Sequence, residues 1–350
     1  MTQHCQRVRA WLPQRPVGTI EAMQAFLFRA AYDRISDRLP TVAPDLDVVV
    51  LEPDGALSLD GAAFDPADLR PEVWWLSLEA FGSQRREYFG RLRDSAEARW
   101  VQTVFAGVEH PSFKPLARNS LKVTNSSAQA PAIAEYVVIH ALSLLHPIDA
   151  QARHQAGHEW KPVDFREVGQ SRWLIIGFGN IGREIAARAK AFGAHVEAVR
   201  RSAGAEGLAD AVSTIADLPS RLPRADVVVL ACALNEDTRD LADARFFAAM
   251  KPGSILINIG RGGLLDEDAL RVSLDADQPG HAVLDVFKTE PLPADNWIWD
   301  HPNIRVTPHA SNRGALTGAR GEALFLENLG RYVRGEPLLN PVNPADIGVG

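Results

Sequence analysis

The apolar run Trp173 to Ile176 leads directly into Gly177-Phe178-Gly179-Asn180-Ile181-Gly182, then into Arg183 to Phe192, whose apolar residues have helical spacing and which ends at Gly193. A strand, a glycine-rich turn and a helix in that order make a receptor for a pyrophosphate. The first glycine allows the tight turn, the second lets the backbone approach the phosphates, the third lets the helix pack on the strand, and the helix start aims N–H groups at the anion. The pattern points to a dinucleotide held by Gly177, Gly179, Asn180, Ile181 and Gly182. A second strand ends 18 positions past Gly182, at Arg200-Arg201-Ser202. A dinucleotide fold usually places there a carboxylate that grips ribose hydroxyls. Two guanidinium groups and a hydroxyl suit a 2'-phosphate instead, through charge-assisted and bidentate bonds. NADP is therefore expected over NAD, against the plainer reading of Arg200 and Arg201 as solvated strand-end charges.

Three later segments each follow an apolar strand: Asn258 to Asp266, Leu284 to Pro291, and Val306 to Ser311. Each carries a polar residue just beyond the strand's carboxyl end, where open α/β sheets bind ligands. These are Arg261, Glu290 and His309.

The elements that must position these residues are read from hydropathy. Val48 to Leu51, Val73 to Leu78, Trp100 to Phe105 and Leu121 to Thr124 are strand candidates, as is Val8 to Leu12; Glu21 to Arg38 and Gln84 to Arg93 are helix candidates. Ala132 to Leu145 is apolar nearly all round and predicts a buried helix. Beyond it Trp173 to Ile176, Val196 to Val199, Val227 to Ala231, Ser254 to Ile259, His281 to Val286 and Ile304 to Val306 are six strands, the number in a complete dinucleotide-binding domain. A last helix, Ala315 to Val333, follows. The fold class expected is α/β with two doubly wound parallel-sheet domains. A Rossmann dinucleotide-binding domain, 144–312, is inserted in a flavodoxin-like substrate domain, 1–143 and 313–350.

A chain of 350 residues with 46% hydrophobic and 23% charged residues has room for two cores and for a cleft. A net charge of −7 argues against nucleic acid as the main partner. No window approaches the eighteen or so apolar residues of a membrane span, no signal-peptide pattern opens the chain, and Cys5 and Cys232 support neither a disulfide framework nor a thiolate cluster. A cytoplasmic protein is expected, without membrane or nucleic-acid partners. No metal site is expected, because no residue cluster has ligand spacing.

Taken together, Gly177 to Gly182, Met250-Lys251-Pro252-Gly253, Asn258 to Asp266, Asp285 to Pro291, Trp299 to Asn303 and Thr307-Pro308-His309 resemble, in order, the motifs of the D-isomer-specific 2-hydroxyacid dehydrogenases. The resemblance spans roughly residues 100–335. It implies hydride transfer between NADP(H) and a small 2-keto or D-2-hydroxy acid, with Arg261, Glu290 and His309 as the catalytic residues. The residue types suit those roles. A guanidinium fork holds a carboxylate and polarises a ketone; an imidazole delivers a proton near neutral pH; a carboxylate on the other ring nitrogen orients it. Given Arg200 and Arg201, glyoxylate or hydroxypyruvate is the favoured substrate.

By the same resemblance Ala106 and Gly107 bind substrate through backbone N–H groups alongside Arg261 and His309, and Asp285 lies near the nicotinamide amide. Ala233, Thr238 and Ile259 line the cofactor, and Asn125 and Glu135 belong to an interdomain hinge. The homologous loop usually carries a proline where this chain has Cys232-Ala233-Leu234-Asn235, which predicts a looser loop. Trp297 and Trp299 suit either a pocket mouth or packing. The family also implies a homodimer. Phosphoglycerate dehydrogenases and nucleotide-sensing regulators share the scaffold and stay open as alternatives; formate dehydrogenases carry Gln where this chain has Glu290.

Overall fold

The computed structural model describes residues 23–118, 120–201 and 207–348. The strand expected at Val8 to Leu12, Cys5 and the nucleotide contact Ser202 lie outside them. The chain divides into two compact units. The first takes in the described residues up to Val108, then Ser112–Ser126 and Gly318–Gly348; the second takes in Glu109–Pro111 and Ser127–Thr317.

The first unit is a seven-stranded sheet in the order β4-β3-β2-β1-β5-β6-β7. Its strands are β1 (Met23–Phe28), β2 (Leu46–Leu51), β3 (Leu57–Leu59), β4 (Ala62–Ala63), β5 (Val73–Leu76), β6 (Trp100–Thr103) and β7 (Lys122–Thr124). Five are parallel, and β3 and β4 add an antiparallel edge. Helices α1 (Arg29–Ile35), α2 (Leu39–Val42), α3 (Arg85–Asp94) and the last helix, Thr317–Val333, accompany the sheet. Phe325 of that last helix stacks on Trp75 at 4.4 Å, which ties the returning chain into this core.

One expectation fails here. Glu21 to Arg38 reads as a single helix, yet Met23–Phe28 is the central strand and helix begins only at Arg29. A strand buried on both faces loses the alternation that would reveal it, and Ala25 to Phe28 are all buried.

The second unit is a seven-stranded, wholly parallel sheet in the order β10-β9-β8-β11-β12-β13-β14. The strands are β8 (Arg172–Ile176), β9 (His195–Val199), β10 (Ala211–Ser213), β11 (Val227–Leu230), β12 (Ile255–Asn258), β13 (His281–Leu284) and β14 (Ile304–Val306). All six strands read from hydropathy are present; the three-residue β10 is too short to have stood out. Helices α4 (Ala130–Leu145), α5 (Ile148–Ala156), α6 (Asn180–Ala191), α7 (Leu218–Arg221), α8 (Ala244–Ala249) and α9 (Glu267–Asp275) complete the unit.

The division between the units falls before α4, after Ser126, rather than at 143, and after Thr317 rather than at 312. The cause is packing: Ile133, Ala134, Val137, Val138, Ala141 and Leu145 of α4 share a core with Ile185, Ala186 and Ala189 of α6. Nor is α4 buried all round, since Ile139 is 62% exposed. No single helix among the described residues is long and apolar enough to cross a membrane.

Candidate active site

The glycine turn sits at the carboxyl end of β8, where the chain order switches from β9 on one side to β11 on the other. Gly177 has φ 100°, and a side chain there would collide with the backbone of Ala231 and Cys232. A side chain at Gly182 would strike the Gly177 carbonyl. Gly179 differs, because the space beside it is open, with nothing within 4 Å of an added Cβ. It is also the N-cap of α6, and no side chain caps the helix there. Two glycines close the turn and the third leaves a vacancy at a helix start, an arrangement that fits a dinucleotide pyrophosphate. Asn180 is exposed and Ile181 half-buried beside it; at the end of β9 Arg200 is half-buried and Arg201 exposed.

The loop after β11 is not loosened by lack of a proline. Thr238 Oγ1 donates to the Ala233 carbonyl at 2.8 Å, and the Asn235 and Thr238 side chains exchange bonds with each other's backbone N–H at 2.8 and 3.0 Å. These hydrogen bonds replace the constraint of a pyrrolidine ring. Ile259 lies buried at the end of β12, and burial pushes the neighbouring Cys232 thiol up to about 11.

Beyond β12 the buried Asn258 shapes the turn that carries Arg261. Its side-chain amide donates to the Arg261 carbonyl at 3.0 Å and accepts from the Gly260 N–H at 3.1 Å. Gly262 then presses on the next loop, since a side chain there would collide with the Phe287 carbonyl. Arg261 Nη1 donates to the Gly260 carbonyl at 2.8 Å, and Glu109, which clusters with this unit, brings Oε1 to 2.5 Å from Arg261 Nε.

Beyond β13 the Glu290 carboxylate is held at both oxygens. Oε1 accepts from the Phe287 N–H at 3.0 Å and Oε2 lies 2.8 Å from His309 Nδ1. The imidazole beyond β14 thus keeps its Nε2 for another partner. His309 has φ 50°, a left-handed backbone that costs roughly 1–2 kcal/mol for a residue with a Cβ. The cost is offset at Asp285, which is fully buried at the end of β13. Its backbone carbonyl accepts from the His309 N–H at 2.8 Å, and its carboxylate accepts from Thr307 Oγ1 at 2.6 Å, Ala310 N at 2.8 Å and Ser311 N at 3.1 Å. Hydrogen bonds to a charged group contribute about 1.5–3 kcal/mol each, so three outweigh the strain. Asp285 is thus a buried carboxylate whose acceptors serve the His309 segment.

The second unit therefore gathers Arg261, Glu290 and His309 on three successive loops at one edge of its sheet. Ala106 and Gly107 belong to the first unit, where Asn125 Nδ2 donates to the Ala106 carbonyl at 2.6 Å and the Ser126 N–H bonds to the Phe105 carbonyl at 2.8 Å. Glu135 is exposed and faces Arg188 at 3.6 Å. His140 packs on Tyr136 with ring centroids 4.4 Å apart and planes tilted by 52°, its Nδ1 buried and without a hydrogen-bond partner among the described residues. Trp299 is exposed with its indole N–H on the Pro293 carbonyl, whereas Trp297 packs between Arg271 and His301. Sequence reasoning did not find the anchoring roles of Asn258, Thr307 and Tyr136; Asn258 and Thr307 lay inside recognised motifs, and only their hydrogen bonds assign them.

Residues 138–311 match the family described as D-isomer specific 2-hydroxyacid dehydrogenase, NAD binding domain. The chain is 33% identical over 262 residues to glyoxylate/hydroxypyruvate reductase A of Serratia proteamaculans, covering 71% of this chain and 79% of the relative. It is 31% identical to glyoxylate/hydroxypyruvate reductase B of Citrobacter koseri, covering 80% of this chain and 91% of the relative. A D-isomer specific 2-hydroxyacid dehydrogenase from Xanthobacter autotrophicus Py2, solved with NADPH and MES, shares the fold with a TM-score of 0.74 and 27% identity over 93% of this chain and 99% of that one. With strand-end loops presenting a guanidinium, a carboxylate and an imidazole beside a dinucleotide turn, this chain belongs to the D-isomer-specific 2-hydroxyacid dehydrogenases, oxidoreductases that transfer hydride to and from the CH–OH carbon of 2-hydroxy acids.

Proposed function

We propose that the protein is an NADPH-dependent reductase of a small 2-keto acid, glyoxylate or hydroxypyruvate in the first instance, acting in the cytoplasm as a homodimer. The observation that carries the reading is the His309–Glu290 pair, 2.8 Å apart at the same sheet edge as Arg261. The bound cofactor supplies the hydride; the protein supplies position, charge and a proton. Arg261 receives the substrate carboxylate and polarises the keto oxygen with its remaining N–H groups. His309 delivers a proton from Nε2 to that oxygen as the carbonyl carbon is reduced, and Glu290 on Nδ1 holds the ring in the matching orientation. In the oxidative direction the same imidazole accepts the proton. Ala106 and Gly107 offer small side chains where the backbone must come close to the acid.

Arg200 and Arg201, standing at the strand end where a dinucleotide fold usually places a carboxylate, support NADPH over NADH, as does the relative solved with NADPH. Exposed apolar residues Ile139 on α4, Ile148 on α5, and Trp160 and Phe165 beyond it support a homodimer. Two scattered cysteines suit the reducing cytoplasm.

The test is cofactor oxidation with a panel of 2-keto acids, alongside Arg261→Ala and His309→Ala. The reading expects turnover with glyoxylate or hydroxypyruvate and its loss by at least about a hundredfold in each variant. Undiminished turnover in both variants would overturn the mechanism, and turnover confined to bulky or phosphorylated keto acids would overturn the substrate.

A further inference from the structure

Thr307 links two groups that belong to different layers of the second unit. Its Oγ1 lies 2.7 Å from the hydroxyl of Tyr136 on α4 and 2.6 Å from Oδ1 of Asp285 at the end of β13. A threonine hydroxyl has one proton to give, and an ionised carboxylate has none. Asp285 also faces the backbone N–H groups of Ala310 and Ser311, which offer no acceptor for a carboxyl proton. The pattern therefore closes in one direction only: Tyr136 donates to Thr307, and Thr307 donates to Asp285.

We propose that Tyr136, Thr307 and Asp285 form a hydroxyl relay that sets the backbone of residues 309–311 and thereby aims the His309 imidazole. All three are positioning residues; none touches the reacting atoms. The relay reaches its target twice. Through its carboxylate Asp285 holds the N–H groups of Ala310 and Ser311, and through its carbonyl it holds the N–H of His309. His309 needs this support because its backbone is left-handed. Donation by Tyr136 polarises the Thr307 hydroxyl and strengthens its bond to the carboxylate. The proposal rests on His309 being the proton donor of the proposed reaction.

The residues lend themselves to clean substitutions. The Tyr136 ring packs on His140 with centroids 4.4 Å apart independently of its hydroxyl, so Tyr136→Phe keeps that packing and removes only the donor. Thr307→Val keeps the shape and removes the hydroxyl, and Thr307→Ser restores it. In the intact protein, Thr307→Val is expected to lower kcat about tenfold, the equivalent of roughly one hydrogen bond, with KM for the keto acid nearly unchanged. Tyr136→Phe should lower kcat by a smaller factor, the double variant should be no worse than Thr307→Val alone, and Thr307→Ser should regain most of the loss.

A second readout needs no turnover. Hydrogen exchange in the cofactor-free protein should show the amides of His309, Ala310 and Ser311 opening at least about tenfold faster in Thr307→Val, and faster in Tyr136→Phe. Unchanged exchange in Thr307→Val, or additive losses of kcat in the double variant, would overturn the relay. If Thr307→Val does not fold, Tyr136→Phe decides by the same two measurements. Full turnover in His309→Ala would sink the proton-donor assignment instead, and the exchange experiment would still judge the relay on its own.

Discussion

His309 Nδ1 stands 2.8 Å from Glu290 Oε2, and Glu290 is itself fixed by the Phe287 N–H on its other oxygen. An amide in place of the carboxylate can still meet the Phe287 N–H and the ring but carries no charge to set against an imidazolium. Glu290→Gln is expected to lower kcat by roughly a hundredfold, within the usual range for a displaced proton donor, while cofactor affinity stays unchanged. Steady-state kinetics with a parallel cofactor titration checks both, and an unaltered kcat would remove Glu290 from the proton path.

The glycines make opposite predictions at different positions. Gly262 has no room for a side chain against Phe287, so Gly262→Ala should destabilise the protein by about 1–3 kcal/mol or more and spoil the spacing of the Arg261 and Glu290 loops. Gly179 has open space, so Gly179→Ala should melt like the parent protein and bind the dinucleotide more weakly. Thermal melts and cofactor fluorescence separate the two effects; normal melting of Gly262→Ala would contradict the packing described.

Arg200 and Arg201 at the end of β9 should reveal themselves through the nucleotide. A charge-assisted hydrogen bond contributes about 1.5–3 kcal/mol, or roughly a tenfold to hundredfold change in affinity. Arg200→Ala combined with Arg201→Ala should weaken NADPH binding by at least that factor and leave NADH nearly unaffected. Equal losses for both cofactors, measured by titration, would discard the 2'-phosphate assignment.

His140 and His281 give the fold a pH dependence. Burial, with the charge of Arg305 adding to it, holds both imidazoles below their ordinary value of 6.5. Unfolding returns them to that value, so below it the unfolded chain binds the extra protons. Their contribution to stability is full above about pH 6.5 and is lost as the pH falls through the lowered folded values. Melting temperature should therefore drop on acidification from neutral pH, and drop less in His140→Gln and in His281→Gln. An identical acid slope in both variants would contradict this.

What the chain discloses about itself divides along a physical line. Glycine turn, Arg261, Glu290 and His309 were legible because a parallel sheet presents its ligands at carboxyl strand ends, so a local pattern of strand and loop locates them. Met23–Phe28 was misread because burial on both faces erases alternation. The Tyr136–Thr307 bond joins residues 171 positions apart, and no local spacing encodes such a pair. The 232–238 loop shows the same limit: a missing proline predicts slack, while Thr238 and Asn235 supply the constraint by hydrogen bonds visible only in three dimensions.

The side chains of His309 and Glu290 remain 44% and 37% exposed, although the backbone beneath them is tightly anchored. In the proposed reaction each reduction would take one proton from the imidazole, and the ring would have to be recharged before the next. An acid that meets bulk water needs no buried wire of side chains to refill it. On that reading solvent can recharge the ring directly, and the interior hydrogen bonds are left to hold its direction.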